Sequence, residues 1–192
     1  MTLGRITVAG ISCLALLGFA GCGSDAPDPS RSEPINSASS STPAKASEEP
    51  ASSSGAEATC KLKGSPGGTA TLGQDPAGLT MTFTGLPVPP SGTALYSVTA
   101  YDAAGEHGGQ LGVKYQGGKQ IAFFVFDFES GTQTNINGEA EASKDGVTAT
   151  VPDADLGPLS GVAVTQWSAA YNVNGDDLGV CPGGIDSLPF PS

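Results

Sequence analysis

Positive charge, histidine and long apolar runs are all scarce in this 192-residue chain, and each scarcity removes a class of function. Eight Lys and Arg stand against 19 Asp and Glu, a net charge of −11 at pH 7. From residue 60 onward there are five lysines, no arginine and 13 acidic residues. Such a surface repels a nucleic-acid backbone and does not lie flat on an anionic bilayer. The one histidine, His107, and the lack of any Cys-x-x-Cys pair deprive the cysteines of the partners a zinc-type site needs. A Ser–His–acid arrangement would have to use His107, yet no Gly-x-Ser-x-Gly elbow is present. Glycines flank that histidine in "AAGEHGGQ", as in an exposed turn. No window of 11 or more residues carries a helical apolar stripe, which argues against a helical fold.

The N-terminal run from Ile6 to Gly21 follows Arg5 and holds 16 residues without charge. A helix needs about 20 to cross roughly 30 Å of hydrocarbon, so the run reads as a cleaved export signal. It ends in Phe19-Ala20-Gly21-Cys22, which resembles the lipobox of bacterial lipoproteins, with Phe19 standing where Leu is usual. The resemblance implies a diacylglycerol on the Cys22 thiol and cleavage just before it. Two or three acyl chains, each CH₂ contributing about 0.8 kcal/mol, hold a protein stably on a membrane. The other reading is an ordinary signal cut after Ala20, with Cys22 an incidental thiol.

Of four cysteines, Cys13 lies within the signal and Cys22 is the candidate anchor. Cys60 and Cys181 bracket everything that looks folded, and outside the cytoplasm two such thiols pair. Their bridge is expected to stabilise by about 2–5 kcal/mol. Between anchor and domain, "RSEPINSASSSTPAKASEEPASSSGAEA" has one large apolar residue, Ile35, too little to offset the entropy of ordering. The expected layout is a signal peptide over 1–21, a disordered tether over 22–58, a domain over 59–184 and a tail over 185–192. A tether of some 36 residues spans roughly 30–35 Å.

Within the domain the apolar period is two. Leu79, Met81 and Phe83 alternate with threonines; Tyr96, Val98 and Ala100 share a face; Leu111, Val113 and Tyr115 share another, with Lys114 opposite. Val147, Ala149 and Val151 repeat the pattern. "KQIAFFVFDF" is apolar on both sides, which requires either cover on both faces or an aromatic outer surface. Val162 and Val164 precede Trp167, Ala169 and Tyr171, and the parity change suggests a bulge near Gln166. Asp75-Pro76, Pro89-Pro90, Gly108-Gly109 and Asn174-Gly175 read as turns. Gly117-Gly118, Asn137-Gly138 and Asp145-Gly146 read as tight hairpins. Seven to nine short strands with frequent turns predict an all-β antiparallel sandwich or barrel, and the sandwich is the expected fold.

The candidates for chemistry are few. Carboxylates abound, but no spacing singles out a glycosidase pair. Asn172 to Gly179 and the pair Asp153 and Asp155 are oxygen-rich, yet lack the calcium-loop spacing with its distal Glu. No cofactor is expected. Aromatic side chains remain: Phe123, Phe124, Phe126, Phe128, Tyr101, Trp167 and Tyr171 either fill the core or line a groove for a sugar, a lipid or a partner.

Residues 145 to 183, "DGVTATVPDADLGPLSGVAVTQWSAAYNVNGDDLGVCPG", resemble the closing strands of carbohydrate-binding-module-like (DOMON-like) β-sandwiches. No ligand residue is carried over from that family. The whole layout of lipobox, Ser/Pro tether and Cys-bracketed β domain resembles actinobacterial-type cell-envelope lipoproteins. These resemblances imply a lipid-anchored protein on the extracytoplasmic face of the cell membrane. Its expected role is non-catalytic binding or scaffolding of an envelope glycan, lipid or protein. A secreted glycan hydrolase and a lipid carrier are the rival expectations.

Overall fold

Strict alternation of apolar and polar residues buries one face of each strand, and two such faces must be laid together to leave water. The computed structural model describes residues 55–64, 66–183 and 186–191 and shows that arrangement. In chain order the strands are β1 (Ala56–Lys61), β2 (Lys63–Gly64), β3 (Thr69–Asp75), β4 (Gly78–Thr84), β5 (Thr93–Tyr101), β6 (Gly108–Gln116) and β7 (Lys119–Asp127). There follow β8 (Thr132–Asn135), β9 (Glu141–Ala142), β10 (Gly146–Pro152), β11 (Gln166–Val173), β12 (Asp176–Cys181) and β13 (Leu188–Pro189). One sheet runs β1-β3-β4-β10-β9 and the other β2-β12-β11-β5-β6-β7-β8, with β13 also paired to β11. All pairings are antiparallel. The domain is an all-β sandwich. Among the described residues there are thirteen strands: nine of six or more residues, the upper end of the expected seven to nine, and four short ones of two to four residues beyond that expectation.

The core lies between the sheets. Leu72, Leu79, Met81, Phe83 and Val151 from the smaller sheet meet Tyr96, Val98, Leu111, Val113 and Trp167 from the larger, all essentially without exposure. Side chains of this size contribute about 1.5–3 kcal/mol each when buried. Phe83 and Tyr96 cross the interface edge to face, ring centroids 5.4 Å apart. The Tyr96 hydroxyl donates to the Leu86 carbonyl at 3.1 Å. Burial, reinforced by Tyr171, pushes its pKa far above the usual phenol range, so it stays neutral.

The sheets' outer faces differ. On the smaller sheet Thr59, Thr71, Thr82 and Thr148 stand opposite one another across four strands. Hydroxyl pairs link Thr59 to Thr71 at 2.7 Å, Thr80 to Thr150 at 2.9 Å and Thr82 to Thr148 at 3.3 Å. β-Branching suits the pleat, and the paired hydroxyls satisfy each other. The larger sheet presents aromatic rings, amides and small residues, described below.

Cys60 and Cys181 are bonded, as their spacing around the domain predicts, with Cα atoms 6.4 Å apart. The bridge joins β1 at the edge of the smaller sheet to β12 in the larger. Between β1 and β2 the chain changes sheets at Leu62, whose side chain is buried.

Several local expectations are corrected. β1 begins at Ala56, ahead of the boundary at 59, and the expected tail contributes a short strand, β13, to the larger sheet. Leu188 and Pro189 pair with Trp167 and Gln166, and Phe190 is buried. Gly108-Gly109 is the start of β6, not a turn. Asn137-Gly138 lies on the crossing from β8 in one sheet to β9 in the other, so it closes no hairpin. No bulge occurs near Gln166. Val162 and Val164 precede the strand, and the irregularity lies at Tyr171/Asn172 opposite β12. Gly117-Gly118 does close the β6–β7 hairpin, both residues at positive φ (56° and 79°), as a two-residue turn of this hand requires.

Candidate binding groove

The two-sided apolar character of "KQIAFFVFDF" resolves into a core face and an aromatic outer face. Phe123 and Val125 point into the core, while Phe124 and Phe126 alternate with them on the outside. Phe128, just past β7, is 40% exposed, one of the two large apolar side chains left open among the described residues. Trp167 and Tyr171 belong to the core.

Register assembles the outer face. Gln166, Tyr101 and Gly108 are cross-strand neighbours on β11, β5 and β6, and Ser168, Thr99, Gln110 and Phe126 form the next row across four strands. A third row carries Ala170, Ser97, Gly112 and Phe124. Two glycines in these rows make room for rings. A Cβ on Gly108 would collide with Cδ1 and Cε1 of Tyr101, and one on Gly112 with the end of the Phe124 ring. Tyr101 therefore leans across its neighbouring strand, where it stacks with Phe128 at 5.7 Å between centroids and 25° between planes. Phe126 meets Phe128 edge to face at 5.8 Å.

Beside this ring pair runs a groove of about 530 Å³, walled and floored by Tyr101, Phe128, Thr99, Ser168, Gln166 and Asp186. Ser187 closes its rim and donates to Gln166 Oε1 at 2.7 Å. With the oxygen so engaged, the Gln166 NH₂ is the end left to donate into the groove. The pairing of β13 with β11 places Asp186 and Ser187 there. A smaller depression of about 160 Å³ continues over Ser97, Gln110 and Ala170, and Asp177 joins Asp186 in its wall.

The remaining candidates lie elsewhere. His107 sits in the turn after β5, with Nδ1 2.9 Å from Asp102 Oδ2, while the Glu106 N–H donates to Asp102 Oδ1 at 2.9 Å. Their hydrogen bond holds Asp102 below the usual carboxylate value and His107 above the usual imidazole value. Among the described residues no hydroxyl or thiol is hydrogen-bonded to His107. The oxygen-rich loops hold their own turns. Asp153 accepts from Ser160 Oγ at 2.9 Å and from the Gly161 N–H at 2.8 Å, and Asn172 Nδ2 donates to Asp177 at 3.3 Å. Among the described residues no cluster of three or more His, Cys, Asp or Glu is placed to hold a metal. Cys22, the signal and the tether up to residue 54 lie outside the described residues.

Of the groove residues, Tyr101 and Phe128 are among the aromatic candidates legible in the sequence. Thr99, Gln166, Ser168, Asp186 and Ser187 carry no motif; only strand register brings them together. Compared with protein-family models, with curated proteins and with solved structures, the chain matches none.

Proposed function

We propose that this chain is a lipid-anchored lipoprotein of the bacterial cell envelope whose domain works as a non-catalytic binding module on the extracytoplasmic face of the membrane. The observation that carries the binding role is the groove on the larger sheet. A stacked ring pair lies beside convergent hydroxyl and amide groups on a sheet face that no other layer of the described residues covers. The export signal and the lipobox-like Phe19-Ala20-Gly21-Cys22 support the location, and the Cys60–Cys181 bridge suits an oxidising compartment. The anchor is tested by Cys22→Ala, which is expected to move the protein from the membrane fraction to the soluble fraction. Continued membrane association would overturn it.

A second reading, a glycan hydrolase, draws on Asp177 and Asp186, which share the smaller depression. It predicts release of reducing ends from envelope polysaccharide, abolished by Asp177→Asn or Asp186→Asn; binding without turnover favours the module. A lipid carrier needs an apolar cavity, whereas the space between the sheets is filled by Trp167, Tyr96, Phe83 and their neighbours.

A further inference from the structure

We propose that β8 is a docking edge for a second copy of this chain, the two β8 strands pairing antiparallel about a twofold axis at Thr134. Strand β8 closes one end of the larger sheet, pairs only with β7 and has all of its residues exposed. An open sheet edge is a template for one more strand, and proteins blunt such edges with charge, proline or extreme shortness. The other edges are blunted in this way. β1 carries Glu57 and Lys61, β2 is only Lys63–Gly64, β9 is only Glu141–Ala142, and β13 ends in Pro189. By contrast, Ser130 to Gly138 holds no charged residue, in a chain of net charge −11. Glu129 and Glu139 flank this stretch but lie outside β8, in the turn before it and on the crossing to β9. Two acidic domains can therefore meet along β8 without setting like charges opposite each other on the strands.

The backbone is ready for such a mate. Along an antiparallel pair, hydrogen-bonded residues alternate with non-bonded ones. The Ile136 N–H donates to the Phe123 carbonyl at 2.8 Å, and the register continues with Asn135 opposite Phe124 and Thr134 opposite Val125. Thr134 thus commits its N–H and C=O to β7, whereas Gln133 and Asn135 turn theirs outward. The Phe128 N–H, donating to the Gly108 carbonyl at 3.3 Å, agrees: the even residues on this side of β7 face β6. Under a twofold at Thr134, the outward groups of Gln133 meet those of the second copy's Asn135, and the reverse.

Any extended peptide could use those backbone groups. The side chains select a second copy. Gln133 Nε2 donates to Asn135 Oδ1 at 2.8 Å, which leaves Gln133 Oε1 to accept and the Asn135 NH₂ to donate. The twofold sets the free acceptor of each copy against the free donor of the other, and pairs Thr134 with Thr134. An edge of four residues at about 3.4 Å each is short, and it buries less than the roughly 800 Å² per partner of a standard interface. Pairing is accordingly weak in free solution. On the lipid-anchored reading, which this step uses, the membrane supplies the local concentration. The axis stands perpendicular to the sheet, so both grooves beside Tyr101 open on the same side.

The test uses the whole chain, released without acylation as Cys22→Ser and studied from micromolar to millimolar concentration, and the anchored chain on membranes. Hydrogen exchange at the Gln133 and Asn135 amides is expected to slow as concentration rises, while Thr134 stays unchanged. Thr134→Cys is expected to give a disulfide-linked dimer, because opposed residues of a non-bonded pair have Cα atoms about 4.5 Å apart. Thr132→Cys, whose two copies stand about 14 Å apart along the edge, is not. Replacing Gln133 and Asn135 both by Lys, or both by Glu, sets like charges opposite each other and is expected to weaken pairing at least about tenfold. A mixture of the Lys and Glu chains pairs again, and each keeps the parent's thermal midpoint, as exposed positions do.

A monomer at every concentration and on membranes overturns the proposal. So do equal cross-linking at 132 and 134, absence of rescue in the mixture, or association centred on another edge. Protection of Gln133 and Asn135 that needs an added peptide or envelope extract, rather than more chain, names a different occupant and overturns it too. Membrane fractionation of the Cys22→Ala chain reads the anchor separately, so failure of the anchor leaves the solution measurements standing.

Discussion

Breaking the Cys60–Cys181 bridge removes the one disulfide cross-link between the two sheets among the described residues. The bond spans 121 residues of sequence. The loop-closure entropy it removes from the unfolded chain corresponds to about 4.9 kcal/mol at 25 °C. Whole domains are stable by only about 5–15 kcal/mol, so the loss takes a third or more of the margin. For a domain of this size each kcal/mol moves the thermal midpoint by roughly 3–5 °C, which gives a fall of roughly 15–25 °C. Cys181 is buried, so reductant reaches it slowly in the native state, and the cleaner perturbation is the double variant Cys60→Ala, Cys181→Ala. Circular-dichroism melts of the unacylated chain, parent against variant, give the readout, with the reduced parent as a second comparison. A midpoint within about 3 °C of the parent would refute the reasoning, because an entropic constraint of this length cannot vanish unless the unfolded chain is already compact.

Two further outcomes follow from buried and paired groups. Trp167→Ala is expected to cost about 3–5 kcal/mol in urea unfolding, the usual range for emptying a large aromatic site. Trp167→Phe is expected to cost much less, since the indole N–H it removes has no hydrogen-bond partner. For the turn after β5, the Asp102 hydrogen bond raises the His107 pKa above 6.5. Its stabilisation is therefore complete below about pH 6.5 and lost as pH rises through the raised value. Asp102, lowered from 3.8 chiefly by the same bond, contributes above about pH 4 and loses that contribution as pH falls through its own lowered value. NMR titration is expected to place the His107 midpoint above 6.5 and to return it toward that value in Asp102→Asn; a parent midpoint at or below 6.5 contradicts the pairing.

The sandwich was readable wherever a strand has one wet face. Leu79, Met81 and Phe83 alternate with threonines because water lies on the threonine side, and the period survives in the sequence. It fails at Val162 and Val164, where apolar residues pack from a loop: Gln74 braces that loop by donating to the Val162 carbonyl at 2.7 Å and accepting from the Val164 N–H at 3.0 Å. Asn137-Gly138 misleads because a turn dipeptide reports only local backbone, whereas β8 pairs with β7 in one sheet and β9 with β10 in the other, partners distant from that dipeptide. Gly108 looks like a turn residue in isolation. Its reason is the Tyr101 ring seven positions back, which only pairing of β5 with β6 reveals. The groove was hidden for the same cause, since Thr99, Gln166 and Asp186 are drawn from three distant segments.

The bridge also sets where tension travels. A pull on the chain at Ala56 can peel only the first few residues of β1 from β3 before it meets the Cys60 sulfur. There the strain passes through a covalent bond into β12 and so into β11, which is zipped to β5 along eight residue pairs. The smaller sheet is bypassed. Under the proposed anchoring, a pull from the membrane side would thus load the strands that floor the groove beside Tyr101.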